Sequence, residues 1–385
     1  MQKLEFPKGF LWGSATASYQ IEGWIDNNDW ALEARNGRVP DAGQATNHRQ
    51  LYESDLHLLS ELKQNAYRFS IEWARIEPEE GKFDQQAIGF YRNLIVQLKS
   101  RGITPFVTLW HFTLPEWFYK MGGFQNKKAI FYFSRYVKYV WDELAVRDPS
   151  DNKAGERAEY WMSINEPMVY VAEGYLEGTW PPFKKNIFNV SQLTKTLISS
   201  HLTLCDIKRK EFPSIKLGIA KNNCYYQANP VMKYFHNTYF LNRIASSLDF
   251  IGLNYYFPHL WPKNPHKNVS DMGWEIYPEG IYHVLKDLKR YGLPVYITEN
   301  GLADADDSRR EQYIKRHLLW AHRAMQEGVD LRGYFYWSLL DNFEWVHGFK
   351  ERFGLVEVDY KTFARKIRPS ALEYAKICEE NTLTL

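Results

Sequence analysis

Residues 283–300 read HVLKDLKRYGLPVYITEN. Val284, Leu285 and Leu288 fall on one helical face, and Lys286, Lys289 and Arg290 put positive charge at the carbonyl end of the helix dipole. Gly292 suits the left-handed residue that closes a helix. A β-branched run, Val295 to Thr298, follows and stops on Glu299 and Asn300. The stretch is therefore one unit: an amphipathic helix, a sharp stop, a buried strand, and a carboxylate where the strand ends.

The same grammar recurs in both directions along the chain. LHLLSELKQN leads into AYRFS (56–70), NLIVQLKSRG into ITPFVTLWH (93–111), and LLWAHRAMQEGVDL into RGYFYWS (318–338). Gly102 and Gly328 take the place of Gly292, and Ser308 with Glu311 predicts a capping box opening the helix before residue 328. Strands are expected at 10–15, 66–70, 104–110, 159–165, 216–221, 249–254, 294–299 and 331–337, with room between them for crossover helices. Repeated βα units without a GxGxxG turn or a Walker-type lysine loop favour a (β/α)8 barrel over a nucleotide-binding sheet. No Pro/Gly/Ser-rich linker interrupts the 385 residues, so residues 1–385 read as a single α/β TIM-barrel catalytic domain.

Composition narrows the function classes. Forty-eight Lys+Arg against 46 Asp+Glu leave a formal charge of +2, which gives no electrostatic case for nucleic acid or anionic lipid. Cys205, Cys224 and Cys378 form no CxxC or Cys/His cluster, so neither a disulfide framework nor a zinc site is expected, and no cofactor is implied. The start, MQKLEFPKGFLWG, lacks the apolar core of a signal peptide, and no apolar run approaches the ~20 residues of a membrane span. A cytoplasmic location is the expectation, which makes the sequons at Asn189 and Asn268 coincidental. Aromatics reach 16% of residues. Most, including Tyr132, Phe133, Tyr136 and Tyr139 on one helix, read as packing, and position must single out those that meet a ligand.

Barrel chemistry sits at the C-terminal ends of the strands. There the sequence places Arg68 and Glu72, His111, Asn165 and Glu166, Asn254 and Tyr256, Glu299 and Asn300, and Trp337. WMSINEP (161–167) shows the device most plainly. Its apolar body is a strand, and Pro167, which cannot donate to a ladder, marks where the ladder is finished. If Glu166 and Glu299 share one pocket, burial and mutual repulsion push their proton affinities apart, giving one acid and one carboxylate. Glycoside hydrolysis needs that pair. Clustered carboxylates can also hold a metal, but no HxH or HExxH spacing supports this, and His317 and His322 are expected on a solvent-facing helix.

From FPKGFLWGSATASYQIEG through ESDLHLLSELKQNAYRFSIEWARIEP, TLWHFTLPEW, WMSINEP, GLNYY and YITENG to GYFYWSLLDNFEWVHGFKERFGLVEVDY, the chain resembles glycoside hydrolase family 1, the retaining β-glucosidase and β-galactosidase type. The resemblance implies Glu299 as nucleophile and Glu166 as acid/base, with carboxyls about 5–5.5 Å apart. It implies Gln20, Glu344 and Trp345 at the distal hydroxyls of an exo-bound sugar, Trp337 as a stacking floor, and His111 and Asn165 on ring hydroxyls. Arg68, Asn254 and Tyr256 support the two carboxyls. The implied partner is a small β-glycoside or oligosaccharide. Relatives acting on 6-phosphorylated sugars place a small hydroxyl residue where Glu344 stands, and a carboxylate there repels a phosphate, although Lys350 and Arg352 lie close in sequence. Rival readings are a 6-phospho-β-glycosidase and a silent sugar-binding or scaffold protein on the same fold. Three departures concern the leaving-group side. The chain is short for the family, Phe112 stands where many members carry Trp, as in archaeal-type β-glycosidases, and GYLEGTWPPF lacks a Gly after its prolines. Sugar epimer and oligomeric state stay open.

Overall fold

Eight parallel strands close into a barrel in chain order: β1 (Leu11–Ala15), β2 (Ala66–Ser70), β3 (Thr104–Thr108), β4 (Tyr160–Asn165), β5 (Lys216–Asn222), β6 (Phe250–Asn254), β7 (Val295–Asn300) and β8 (Leu331–Trp337), with β8 pairing back onto β1. The structure, a computed structural model, describes residues 3–147, 154–260 and 268–385. Each strand lies within two residues of its sequence-based expectation. The largest difference is at β3, where Leu109–His111 leave the ladder to form the loop that carries His111.

The barrel is filled, not hollow. Phe106, Tyr160, Phe250, Tyr296 and Phe335 interlock inside it, with Phe106 and Tyr160 stacked at 4.4 Å and Phe106 4.8 Å from Phe335. Small residues opposite make room: Ala15, Ala66 and Ala220 line the same core, and a Cβ at Gly218 would sit 2.4 Å from the Phe250 ring. Large facing small is how a barrel interior reaches crystalline density.

Helices α1 (His48–Glu61), α2 (Gln85–Ser100), α3 (Ala129–Leu144), α4 (Ile187–Glu211), α5 (Glu279–Leu288), α6 (Arg310–Gln326) and α7 (Pro369–Glu380) form the outer ring. Gly102, Gly292 and Gly328 all take positive φ where the sequence placed helix stops. On α3, Tyr132, Phe133 and Tyr136 are buried, and the half-buried Tyr139 stacks on Phe83, so these aromatics are packing. The β5–β6 connection differs from its neighbours. It crosses by short turns, Pro230–Lys233, Tyr234–Thr238 and Leu241–Ile244, instead of one long helix. Among the described residues no helix is long and apolar enough to cross a membrane.

Two expectations on α6 are corrected. His317 and His322 are buried, not solvent-facing. His317 Nδ1 meets the Tyr313 carbonyl at 2.8 Å, burial pushes its ring down to about 3, and His322 Nε2 meets the Glu5 carbonyl at 3.0 Å. Both lie on the inward face with Ile314, Leu318 and Ala321, and each imidazole reaches a main-chain carbonyl. Nor does Ser308 cap the helix. The helix starts later, and Asp304 Oδ2 accepts the main-chain N–H groups of Arg309 and Arg310 at 3.0 and 3.1 Å.

Candidate active site

Strand β4 ends at Asn165, and Glu166 turns out of it with φ +43°, a left-handed conformation that costs a non-glycine residue about 1–2 kcal/mol. Its main-chain N–H is held by the Ala220 carbonyl at 2.8 Å, and Pro167 opens the short helix Pro167–Val171. The charge therefore does not sit inside a strand: the chain bends at Glu166 and presents it at the barrel mouth. Strand β7 delivers Glu299 inward, while the next residue, Asn300, faces outward and binds the Tyr255 carbonyl and the Tyr313 and Tyr334 hydroxyls. Glu72 also turns away from the mouth. It accepts from Thr113 and Ser18, and burial followed by the Glu22 charge raises it to about 7.

A cleft of about 590 Å³ opens between these strand ends. Its wall contains Gln20, His111, Asn165, Glu166, Tyr256, Glu299, Trp337, Glu344 and Trp345, so nine of the eleven residues to which the family resemblance gave a role meet there. The other two, Arg68 and Asn254, are fully buried directly behind it. Arg68 Nη1 donates to Glu299 Oε1, and Tyr256 OH donates to Glu299 Oε2 at 2.6 Å. A cation on one oxygen and a phenol on the other suit a carboxylate. Among the described residues no cation lies within hydrogen-bonding reach of Glu166. Asn254 Nδ2 donates to its Oε1 at 2.7 Å and Asn222 Nδ2 at 3.4 Å. Burial, then the charge of Glu299, pushes Glu166 up to about 8.

Nearly the whole chain matches the family described as "Glycosyl hydrolase family 1", over residues 2–238 and 223–383. The chain belongs to glycosyl hydrolase family 1. It is 34% identical to "Beta-glucosidase A" of Thermotoga maritima over 456 aligned positions covering all of both chains. Against 385 residues, about 70 of those positions of the relative have no counterpart here. Its structure superposes on the "beta-glycosidase from Pyrococcus horikoshii" with TM-score 0.92 and 39% identity, covering 100% of this chain and 97% of that one. With a "Beta-glucosidase from Thermotoga maritima in complex with deoxynojirimycin" the TM-score is 0.89 at 34% identity, over 98% and 99% of the two chains.

The polar groups facing this family 1 cleft have defined orientations. Asn165 Oδ1 accepts from Arg68 Nη2 at 2.7 Å, so its Nδ2 points outward, 3.2 Å from His111 Nε2. His111 is neutral, because burial and then the Arg68 charge hold it well below the usual imidazole range. Gln20 Nε2 is taken by Asn342 Oδ1 and the Phe343 carbonyl, and its buried Oε1 has no protein partner. An amide oxygen fixed in place and unsatisfied is a ready acceptor for a ligand hydroxyl. Lys350 pairs with Glu351 at 3.2 Å, Arg352 with Asp341 at 3.2 Å, and neither joins the cleft wall.

The sequence reading missed the β5 side. Asn222, Cys224, Tyr226, His236 and His259 line the cleft there, and Lys221 is buried beneath them. The signal was present: KNN at the end of strand five passes the same strand-end filter that found WMSINEP. Phe112 also lines the cleft, with Trp180 from the GTWPP loop 5.0 Å away and Trp345 5.4 Å away.

Proposed function

We propose that the protein is a retaining, exo-acting β-glycosidase for neutral, unphosphorylated β-glycosides or short oligosaccharides, working as one catalytic domain in the cytoplasm. The observation that carries this reading is the unequal setting of two carboxyls in one cleft: Glu299 between Arg68 and Tyr256, Glu166 among amides and raised to about 8.

Glu299 attacks the anomeric carbon while protonated Glu166 gives its proton to the departing oxygen. The glycosyl ester removes the Glu299 charge. One of the two causes that raise Glu166 then disappears, so it releases its proton more easily and serves as base toward the incoming water. Asn165 Nδ2 donates to the 2-hydroxyl and His111 accepts or donates at a neighbouring ring hydroxyl. Gln20 Oε1 and Glu344 take the distal hydroxyls over the Trp337 ring. Neutral substrates fit because Glu344 puts a carboxyl and no cation where a 6-phosphate would need one, and neither Lys350 nor Arg352 contributes to the cleft. The three buried free thiols are compatible with a reducing compartment.

The test is turnover of a panel of aryl β-glycosides, each with and without a 6-phosphate, with the first-formed anomer read by proton NMR. A β-anomer released from unphosphorylated substrates is expected. An α-anomer would overturn the mechanism, preference for the phosphorylated series the substrate class, and binding without turnover the enzyme.

A further inference from the structure

Strand β5 ends in Lys221 and Asn222, and the Lys221 side chain is only 1% exposed. A lysine this deep ordinarily has a carboxylate partner. None of the described carboxylates comes within ion-pairing distance of Lys221, whose Nζ donates instead to the main-chain carbonyl of Asn222. Burial lowers this amine to about 7, against the opposing pull of Cys224 and Glu166.

Asn222 uses each of its polar groups. Its carbonyl receives Lys221, its Oδ1 accepts the Cys224 thiol at 3.6 Å, and its Nδ2 reaches Glu166 Oε1 at 3.4 Å. The thiol on Oδ1 fixes which end of the amide faces Glu166. Cys224 is itself clasped by Asn237, which accepts its N–H at 3.1 Å and donates to its carbonyl at 2.7 Å. With Asn254 also on Oε1, that oxygen is an acceptor twice over, which leaves Oε2 to carry the transferable proton.

We propose that Lys221 is a positioning residue for Glu166: it clamps the Asn222 carbonyl so that the Asn222 amide meets Oε1, and in its protonated form it stabilises the Glu166 carboxylate that the second displacement needs. The inference rests on Glu166 being the acid/base. Charged and titratable groups that act on Glu166 are Glu299 from β7, Arg68 from β2 and Lys221 from β5. Glu344 and Tyr256 respond in turn to Glu166. Those acting around Lys221 are Glu166, Cys224 and His236, and burial pushes His236 down to about 3, so it stays neutral. Arg68 is committed to Glu299, Asn165 and Thr108, which leaves Lys221 as the cation able to follow the charge on Glu166.

Lys221→Met removes the amine at similar length, and Lys221→Arg fixes a charge at all working pH. Because protonated Glu166 drives the first step, activity falls on the basic side as Glu166 ionises. The basic limb of kcat/KM should move up slightly in Lys221→Met, because the wild-type amine is already mostly neutral there, and down by about half to one pH unit in Lys221→Arg. For a dinitrophenyl glycoside limited by the second step, kcat should fall several-fold in the Met variant and recover in the Arg variant. A 13C titration of the Glu166 carboxyl should show the same two displacements without any turnover, and the Arg variant alone suffices if the Met variant does not fold. Displacements in the same direction, or none in a folded variant, would overturn the role of Lys221. Lack of turnover by the unaltered protein would instead refute the proposed reaction, and the carboxyl titration would still decide on Lys221.

Discussion

Arg68 joins Glu299 to Asn165: one guanidinium nitrogen, Nη1, donates to Glu299 Oε1 and the other, Nη2, lies 2.7 Å from Asn165 Oδ1. Residues from β7 and β4 are thereby set at one spacing by a side chain from β2, with Thr108 of β3 holding Nε at 3.2 Å. The fork geometry of arginine is what makes this possible. Lysine keeps the charge but cannot serve both acceptors. Arg68→Lys should lower kcat by roughly 100- to 1,000-fold, the scale of losing one organised transition-state contact, with a smaller change in KM. Steady-state kinetics on an aryl β-glycoside, with the melting temperature as a folding control, checks this.

The two carboxyls should fail in different ways. Glu299→Ala should lose roughly 10⁴-fold or more in kcat, and azide should restore turnover by filling the vacated space as a small nucleophile. Glu166→Ala should lose activity in proportion to how badly the leaving group needs a proton. The deficit should be small for dinitrophenolate and approach roughly 10⁴-fold for an alkoxide. Measuring both variants against a graded series of leaving groups separates the roles, and a flat dependence for Glu166→Ala would remove it as the acid.

The legible part of this molecule follows from local physics. Strands buried on both faces read as apolar runs, and helix ends announce themselves by charge and glycine, which is why VYITEN and WMSIN could be placed without coordinates. Strand ends in a barrel converge, so finding the ends located His111, Asn165, Glu166, Tyr256, Glu299 and Trp337 of the cleft wall, while Gln20, Glu344 and Trp345 came with the family resemblance. What stayed hidden depends on long-range partners. His322 is buried against the other end of the chain, where the Glu5 carbonyl and the Phe6 ring meet its imidazole. Asp304 replaces Ser308 at the start of α6 because a carboxylate can accept two main-chain N–H groups at once. Nothing local marks Lys221 as buried, because Asn237, which pins the β5–β6 connection through Cys224, lies well downstream in the chain.

Placing Glu166 here should cost stability in a pH-dependent way. Unfolded, its carboxyl releases a proton near the ordinary value of 4.5, whereas in the fold burial and the Glu299 charge hold the proton to about 8. Between those limits the folded state binds the extra proton. The stability contribution is thus full below the lower value and declines as pH rises toward the upper one. Glu166→Gln, which has nothing to ionise, should escape the decline. Its melting temperature should match the parent near pH 4 and exceed it by a margin that widens up to about pH 8. Differential scanning calorimetry across that range reads the margin, and a constant offset would mean that Glu166 is not raised.

Glu344 offers the sharpest test of substrate class. It is partly buried, lies 3.4 Å from Gln20 Nε2, and burial followed by the charges of Glu299, Glu166 and Glu351 raises it to about 8. Below that value it can both donate to and accept from a sugar hydroxyl. Above it, only acceptance remains and a third negative charge enters the cleft. KM for a neutral glycoside should therefore rise above about pH 8 in the parent and stay flat in Glu344→Gln, whose amide keeps a donor and an acceptor at every pH. Glu344→Ser removes the carboxyl and opens space, so it should weaken the neutral glycoside by about 1–3 kcal/mol while narrowing its advantage over the 6-phospho analogue. Parallel kcat/KM measurements on the two substrates give that ratio directly. If the ratio did not change, Glu344 would not be the residue that excludes phosphate.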